Sequence, residues 1–351
     1  VAVRLTVPVT IVTGFLGSGK TTLVNRILRE PHGARIAVVE NEFGEVGVDA
    51  EFLTRTGDET IVQLANGCLC CNVRGDLAKA LQEIAATAQA RDLAFDRVLI
   101  ETTGLADPGP VIQTFLAETS IEAFFHLDGV VALVDARHAA VQADRLEFRA
   151  QVAYADRIVV SMADLVSATD RTALENELAT LNPRAPVVAC NLHAVAIDTV
   201  LAHVFDTRGF SNDYVPPEEI RRALGGLSLS AAGGGRMRPV GAARHTQDVR
   251  SCVYTSEAAL DLDALNAAID AIVAHYGARL WRCKGIVLAE GRRSRLVIQG
   301  VQGLVQISGG TLWRPFELRR SVLVFIGQGL ETDRIVAVMK VCESAAAPAA
   351  G

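Results

Sequence analysis

The run Gly14-Phe15-Leu16-Gly17-Ser18-Gly19-Lys20-Thr21 has the spacing of a phosphate-binding loop, G-x-x-x-x-G-K-[ST]. Gly14, Gly17 and Gly19 let the backbone N–H groups around Ser18 converge on phosphate oxygens, and the helix that the motif opens adds positive potential at its first turn. Lys20 contributes a point charge, and the Thr21 hydroxyl is a candidate Mg²⁺ ligand. A plain glycine-rich turn is the alternative, and a Lys-Thr pair at this offset argues against it. A second group has different chemistry: Cys68, Cys70 and Cys71 place three of the chain's seven cysteines within four positions. On an extended segment Cys68 and Cys70 point the same way, and a turn at Cys71 swings in a third sulfur. That gives three soft ligands at a Zn–S distance of about 2.3 Å, with a fourth position left for a carboxylate, water or acceptor protein. Zinc is the default ion, and ligand type leaves cobalt, nickel and iron open. Apolar packing or a redox role is the alternative for these thiols.

Carboxylates supply the remaining chemistry. Arg97-Val98-Leu99-Ile100 reads as a strand that runs into Glu101-Thr102-Thr103-Gly104. In that layout an acid acts on Mg²⁺ or its waters and a glycine N–H, here that of Gly104, contacts a γ-phosphate. The loop Glu40-Asn41-Glu42-Phe43-Gly44-Glu45 offers Glu40 and Glu45 for metal contact and Glu42 for the attacking water, with solvated loop carboxylates as the plain alternative. With Lys20, Glu42 and Glu101 form the candidate catalytic set. A guanine reader usually carries Asn-Lys-x-Asp after a late strand, and this chain has Ser161-Met162-Ala163-Asp164 there. Asp164 can accept from the guanine N1–H and exocyclic amine while Met162 covers the base, and Asn191 brackets it. Cys190, Cys252, Cys283 and Cys342 stand alone and read as small core residues, and His138 reads as structural.

These groups need a frame that brings distant loops to one edge. Pro8–Thr13, Arg35–Asn41, Ile61–Ala65, Arg97–Ile100, Gly129–Asp135, Arg157–Ser161 and Pro186–Cys190 read as buried strands of a parallel sheet. They alternate with helical patterns at Lys20–Glu30, Asp76–Ala90, Pro110–Glu118, Arg145–Ala153 and Asp170–Leu181, a spacing suited to right-handed crossovers. After Ser251 come a strand, a helix at Leu262–Tyr276, strands at Gly285–Ala289, Arg295–Gln299 and Val322–Gly327, and a helix at Glu331–Val341. The expected fold class is α/β: a P-loop NTPase domain with a mostly parallel sheet, plus a smaller C-terminal α+β domain. The expected boundaries are 1–209 for the first domain, 210–250 for a Gly/Pro-rich linker or mobile insertion, 251–343 for the second domain and 344–351 for a disordered tail.

The chain's 351 residues accommodate two domains, and 50% hydrophobic content excludes a chain disordered over most of its length. A net charge of −6 with 5% aromatic residues lacks the footprint of a nucleic-acid binder. An odd, sparse cysteine set argues for a reducing compartment, with cytoplasm the default. Val1–Phe15 reads as a core strand running into the glycine motif, and no stretch approaches the ~18 apolar residues of a membrane span.

Together these motifs resemble the CobW-like metallochaperone GTPases, in their YjiA-type branch. The resemblance covers nearly the whole chain. It rests on Thr13–Thr22, Glu40–Glu45, Gly67-Cys68-Leu69-Cys70-Cys71, Glu101–Pro108 and Arg282-Cys283-Lys284-Gly285. It implies a GTP and Mg²⁺ site that includes Thr22, slow hydrolysis of GTP to GDP and phosphate, a transition-metal site at the cysteines, and delivery of that metal to a client metalloprotein. It also implies a C-terminal domain that helps engage a partner, and it brings in a nucleotide-dependent homodimer. Two departures stand out: the Lys of Asn-Lys-x-Asp is missing, and the linker has only His245 where many relatives carry a histidine-rich tract. The rival expectations are a nucleotide-gated metal sensor without significant turnover, and a P-loop ATPase or kinase.

Overall fold

A computed structural model describes residues 6–40, 52–56, 59–63, 73–90, 95–192, 194–211, 249–314 and 317–344. The chain divides into two compact units, Val1–Ser211 and Asn212–Gly351.

The first unit is organised by six strands: β1 (Val7–Gly14), β2 (Ile36–Glu40), β5 (Arg97–Glu101), β6 (Phe125–Asp135), β7 (Arg157–Ser161) and β8 (Val187–Ala189). They pair in the order β2-β5-β1-β6-β7-β8, parallel throughout. Their runs of Val and Ile serve both faces, because successive side chains alternate across a sheet. Val131, Leu133 and Val159 join Leu23, Val24 and Ile27 of helix α1 (Lys20–Arg29) and Val200 and Val204 of a helix at Ile197–Val204 in one core. Ala132, Val134, Ile158 and Val160 face the other way, onto Phe148 and Val152 of a helix at Leu146–Tyr154 and Leu178 of one at Ala168–Leu181. Numbered in chain order, the helices of this unit are α1, α2 (Val73–Ala90), α3 (Gly109–Ala117), α4 (Thr119–Glu122), α5 (Ala139–Gln142), α6 (Leu146–Tyr154), α7 (Ala168–Leu181) and α8 (Ile197–Val204).

One expected strand belongs elsewhere. The segment read as Ile61–Ala65 is β4 (Glu59–Gln63), which pairs antiparallel with β3 (Phe52–Thr56) in a separate two-stranded sheet. Only two residues separate these strands, too few for a parallel crossover, so a hairpin results. Helices α4, α5 and α8 have no counterpart among the expected helices.

In the second unit β9 (Val249–Ser256), β10 (Leu280–Val287), β11 (Ser294–Val301), β12 (Leu304–Leu312) and β13 (Ser321–Gln328) form an antiparallel sheet in the order β12-β11-β10-β13-β9. Helices α9 (Leu262–Tyr276) and α10 (Thr332–Lys340) contribute Leu265, Ile269, Ile272, Ile335 and Met339 to one core with Cys252, Tyr254, Leu323 and Phe325. Two differences from expectation have a common cause. β10 starts five residues earlier than Gly285 because it buries Arg282 and Lys284, which break the apolar pattern. β12 is half-exposed at the sheet edge, and its Gln306, Ser308, Gly309 and Gly310 gave no hydrophobic signal. Among the described residues no helix is long and apolar enough to cross a membrane.

Candidate nucleotide site

The parallel sheet delivers the C-terminal ends of β1, β5, β6, β7 and β8 to one edge. The chain passes from β1 to the far strand β2, returns through β5 and then crosses to β6, so strand order reverses beside β1, the place where α/β sheets hold ligands. Gly14 ends β1 at φ 144°, where a Cβ would lie 2.3 Å from the Leu133 carbonyl oxygen. No other residue fits there. Gly19 is left-handed at φ 96° and starts α1, so the loop's N–H groups and the helix N-terminus face the same side. Ser18 is buried, and its carbonyl accepts from Ser161 Oγ at 2.8 Å, tying the loop to the end of β7.

Lys20, 7% exposed, donates from Nζ to Gly14 O at 2.7 Å and Phe15 O at 3.2 Å. Burial holds its pKa below the usual value, and the nearby Glu101 carboxylate opposes that shift. A largely buried cation held by two backbone carbonyls can exchange them for phosphate oxygens. Thr21 and Thr22 are exposed on the first turn of α1. Thr21 Oγ1 donates to Glu101 Oε1 at 2.8 Å, and Glu101 itself is 8% exposed. This hydroxyl–carboxylate pair is a hard oxygen donor set beside a phosphate loop, which fits Mg²⁺.

The next turn is fixed on several sides. Thr102 donates from N to Val12 O at 3.0 Å and from Oγ1 to Thr13 Oγ1 at 2.9 Å. Gly104 lies so close to the loop that a Cβ would come within 2.6 Å of Leu16 Cδ2. Gln151 Nε2, from α6, donates to Gly104 O at 3.1 Å and Ala106 O at 3.2 Å.

At the expected base side, Met162 is left-handed at φ 53° and Asp164 is exposed in a single 3₁₀ turn, Ala163–Leu165. Asn191, half-buried, accepts at its carbonyl from Ala194 N at 3.1 Å and Val195 N at 3.3 Å. The loop it opens is held by Arg26 of α1, which donates to Leu192 O and, at 2.5 Å, to Val195 O. Glu30 pairs with Arg26 and raises its pKa. His138 is on a buried carboxylate, with Nδ1 2.8 Å from Asp135 Oδ2.

The structure therefore brings Gly14, Gly17, Ser18, Gly19, Lys20, Thr21, Thr22, Glu101, Gly104, Asp164 and Asn191 to the strand ends, turns and first helical turn at one edge of the sheet. Glu40 ends β2 and its backbone lies beside Glu101 in the parallel register. Glu42, Glu45, Cys68, Cys70 and Cys71 lie outside the described residues, as do 212–248 of the expected linker and 345–351 of the expected tail. Sequence reading missed Arg26 and Gln151. A lone amide among Phe148, Ala150, Val152 and Ala153 was the available signal for Gln151.

Fold and loop together define a P-loop nucleotide-binding protein. More narrowly, residues 8–189 match the CobW/HypB/UreG nucleotide-binding domain and residues 249–343 match the cobalamin synthesis protein cobW C-terminal domain. The chain belongs to this family. It is 36% identical to the zinc chaperone YjiA of Escherichia coli over 94% of this chain and 96% of that protein. It is 35% identical to the zinc-regulated GTPase metalloprotein activator 1 of Schizosaccharomyces pombe over 52% of this chain and 45% of that one. The crystal structure of Zn(II)-bound YjiA GTPase from E. coli superposes with a TM-score of 0.73 at 32% identity, covering 97% of this chain and all of that one.

Proposed function

We propose that this protein is a zinc-binding GTPase that couples GTP binding and slow hydrolysis to delivery of the metal to a client metalloprotein in the cytoplasm. The observation that carries the nucleotide half is the Thr21–Glu101 pair beside buried Lys20, because it assembles charge neutralisation and cation coordination at one phosphate position. Lys20 holds the β- and γ-phosphates against the glycine loop, and Gly104 N–H meets the γ-phosphate. Thr21 and Glu101 would hold Mg²⁺, which when bound would neutralise phosphate charge. Glu42 orients the attacking water. The YjiA and activator names support GTP as the nucleotide and zinc as the cargo.

On this reading Cys68, Cys70 and Cys71, with Glu40 or Glu45, bind the cargo ion, and triphosphate occupancy changes their arrangement through the Glu40–Glu45 and Glu101–Gly104 segments. Switching the ion from mostly bound to mostly free requires the two nucleotide states to differ about 10⁴-fold in affinity, or ~5.5 kcal/mol, so a partner shares the work. A nucleotide-dependent homodimer is part of the same proposal. Titration calorimetry of GTP, GDP and ATP, each with and without Zn²⁺, tests it. Guanine nucleotides are expected to bind more tightly than ATP, and zinc affinity to depend on which nucleotide is bound. Equal zinc uptake in the empty, GDP and GTP forms would refute the coupling.

A further inference from the structure

The turn after β5 is gripped from outside the nucleotide loop by one side chain. Gln151 is 1% exposed on α6, and its Nε2 bridges Gly104 O at 3.1 Å and Ala106 O at 3.2 Å. Only the NH₂ side of an amide donates, and both partners only accept, so the chemistry fixes the amide's orientation. The arrangement has a cost. Gln151 Oε1 is buried and accepts no hydrogen bond among the described residues. Its neighbours Phe148, Ala150, Val152 and Ala153 are all buried, so an apolar residue would suit this helix face without that loss. What the amide adds at this position is its pair of donor bonds to the turn.

We propose that Gln151 is a positioning residue for hydrolysis, holding the Gly104–Ala106 backbone in the arrangement that answers to a γ-phosphate. This rests on the reading of Glu101–Gly104 as the phosphate-sensing turn. A planar trans peptide carries its C=O and N–H as one rigid unit, so fixing the Gly104 and Ala106 carbonyls sets the two peptide planes at Gly104–Leu105 and Ala106–Asp107 and limits how far Gly104, whose own N–H is read as meeting the γ-phosphate, can turn. On its other side the turn meets Leu16, whose Cα would lie 2.8 Å from a Cβ on Gly104. The helix is a firm support. Asn182 Nδ2 donates to Val152 O at 2.8 Å, Ala153 O at 3.2 Å and Ala155 O at 2.9 Å, closing the C-terminal end of α6. The turn thus sits between a tethered helix and the phosphate loop, and loss of the amide frees its α6 side alone.

Gln151→Met keeps the length of the side chain and removes both donors. Affinities for GDP and for a non-hydrolysable GTP analogue are measured by competition with fluorescent GDP, hydrolysis by phosphate release, and folding by the thermal midpoint. GDP affinity is expected to stay within roughly twofold of the parent, while kcat falls about tenfold or more and the preference for the GTP analogue over GDP shrinks. Gln151→Asn, with an amide on a shorter stem, follows the same pattern and serves if the Met variant does not fold. Unchanged kcat and unchanged GTP-analogue preference in a folded variant overturn the inference, as does a parallel loss of both nucleotides, which marks a merely structural role. A parent chain that itself fails to distinguish the analogue from GDP removes the sensing reading first, and the inference with it.

Discussion

Thr21 and Glu101 meet through a 2.8 Å hydrogen bond, although 80 positions separate them in the chain. The contact follows from register. Val12 of β1 pairs with Glu101, the last residue of β5, and β1 runs only two residues further before it gives way to the phosphate loop at Gly14, so the acid stands beside the start of that loop.

Glu101→Gln keeps the size of the side chain and removes the charge that supports both Thr21 and Lys20. Phosphate release at saturating GTP and Mg²⁺ is expected to fall by about a hundredfold. GDP binding without Mg²⁺ should change little. Wild-type turnover in this variant would exclude Glu101 from the catalytic set.

Lys20 predicts a pH effect on the nucleotide-free protein. Its folded pKa lies below the usual 10.5 because burial disfavours the ammonium, with Glu101 offsetting part of that effect. Between the folded and unfolded values the unfolded chain binds more protons, so this site's contribution to stability rises with pH in that window. Below it the penalty is fully present. Lys20→Met should be more stable than the parent near neutral pH, with the gap in urea unfolding free energy narrowing as pH climbs toward 10.5. A gap that widens contradicts the assignment. The same variant should lose GTP hydrolysis.

The second unit's thiols should not take zinc. Burial pushes Cys252 up to about 11 and Cys283 up to about 12, so both stay protonated at neutral pH, whereas thiolates bind metal. Cys283→Ala is expected to bind as much zinc as the parent, and Cys70→Ala less, with GDP affinity kept in both. Equilibrium dialysis with metal analysis decides between them. Alkylation of the folded chain at pH 7.5 should spare Cys252 and Cys283.

Asn182 tests the anchoring of α6. Its buried amide serves three carbonyls at once, so Asn182→Ala strands acceptors in the interior. A loss of about 2 kcal/mol in urea unfolding is expected. A change below a few tenths would mean that the helix end is satisfied in another way.

Much of this was readable from residue types alone. The phosphate loop announces itself through glycine, lysine and threonine at fixed offsets, a local requirement of backbone dihedrals and charge. Helix α9 spans Leu262–Tyr276 as its apolar period indicates, closed in front by Asp261, whose carboxylate accepts from Ala264 N at 2.8 Å. Where the periodicity is faint the reading failed: β12 is an edge strand of mixed polarity, and β10 hides Arg282 and Lys284 inside the sheet.

The sequence alone established that a phosphate-gripping loop, a strand-end acid and a thiol trio share this chain, because each is written within a few consecutive residues. It could assign Ile61–Ala65 to a strand, yet not to a hairpin apart from the main sheet, because pairing partners are a non-local property. Only the tertiary structure placed Glu101 on Thr21, Arg26 on the loop after Asn191 and Gln151 on Gly104. These contacts depend on strand order and helix packing, and no spacing along the chain encodes them.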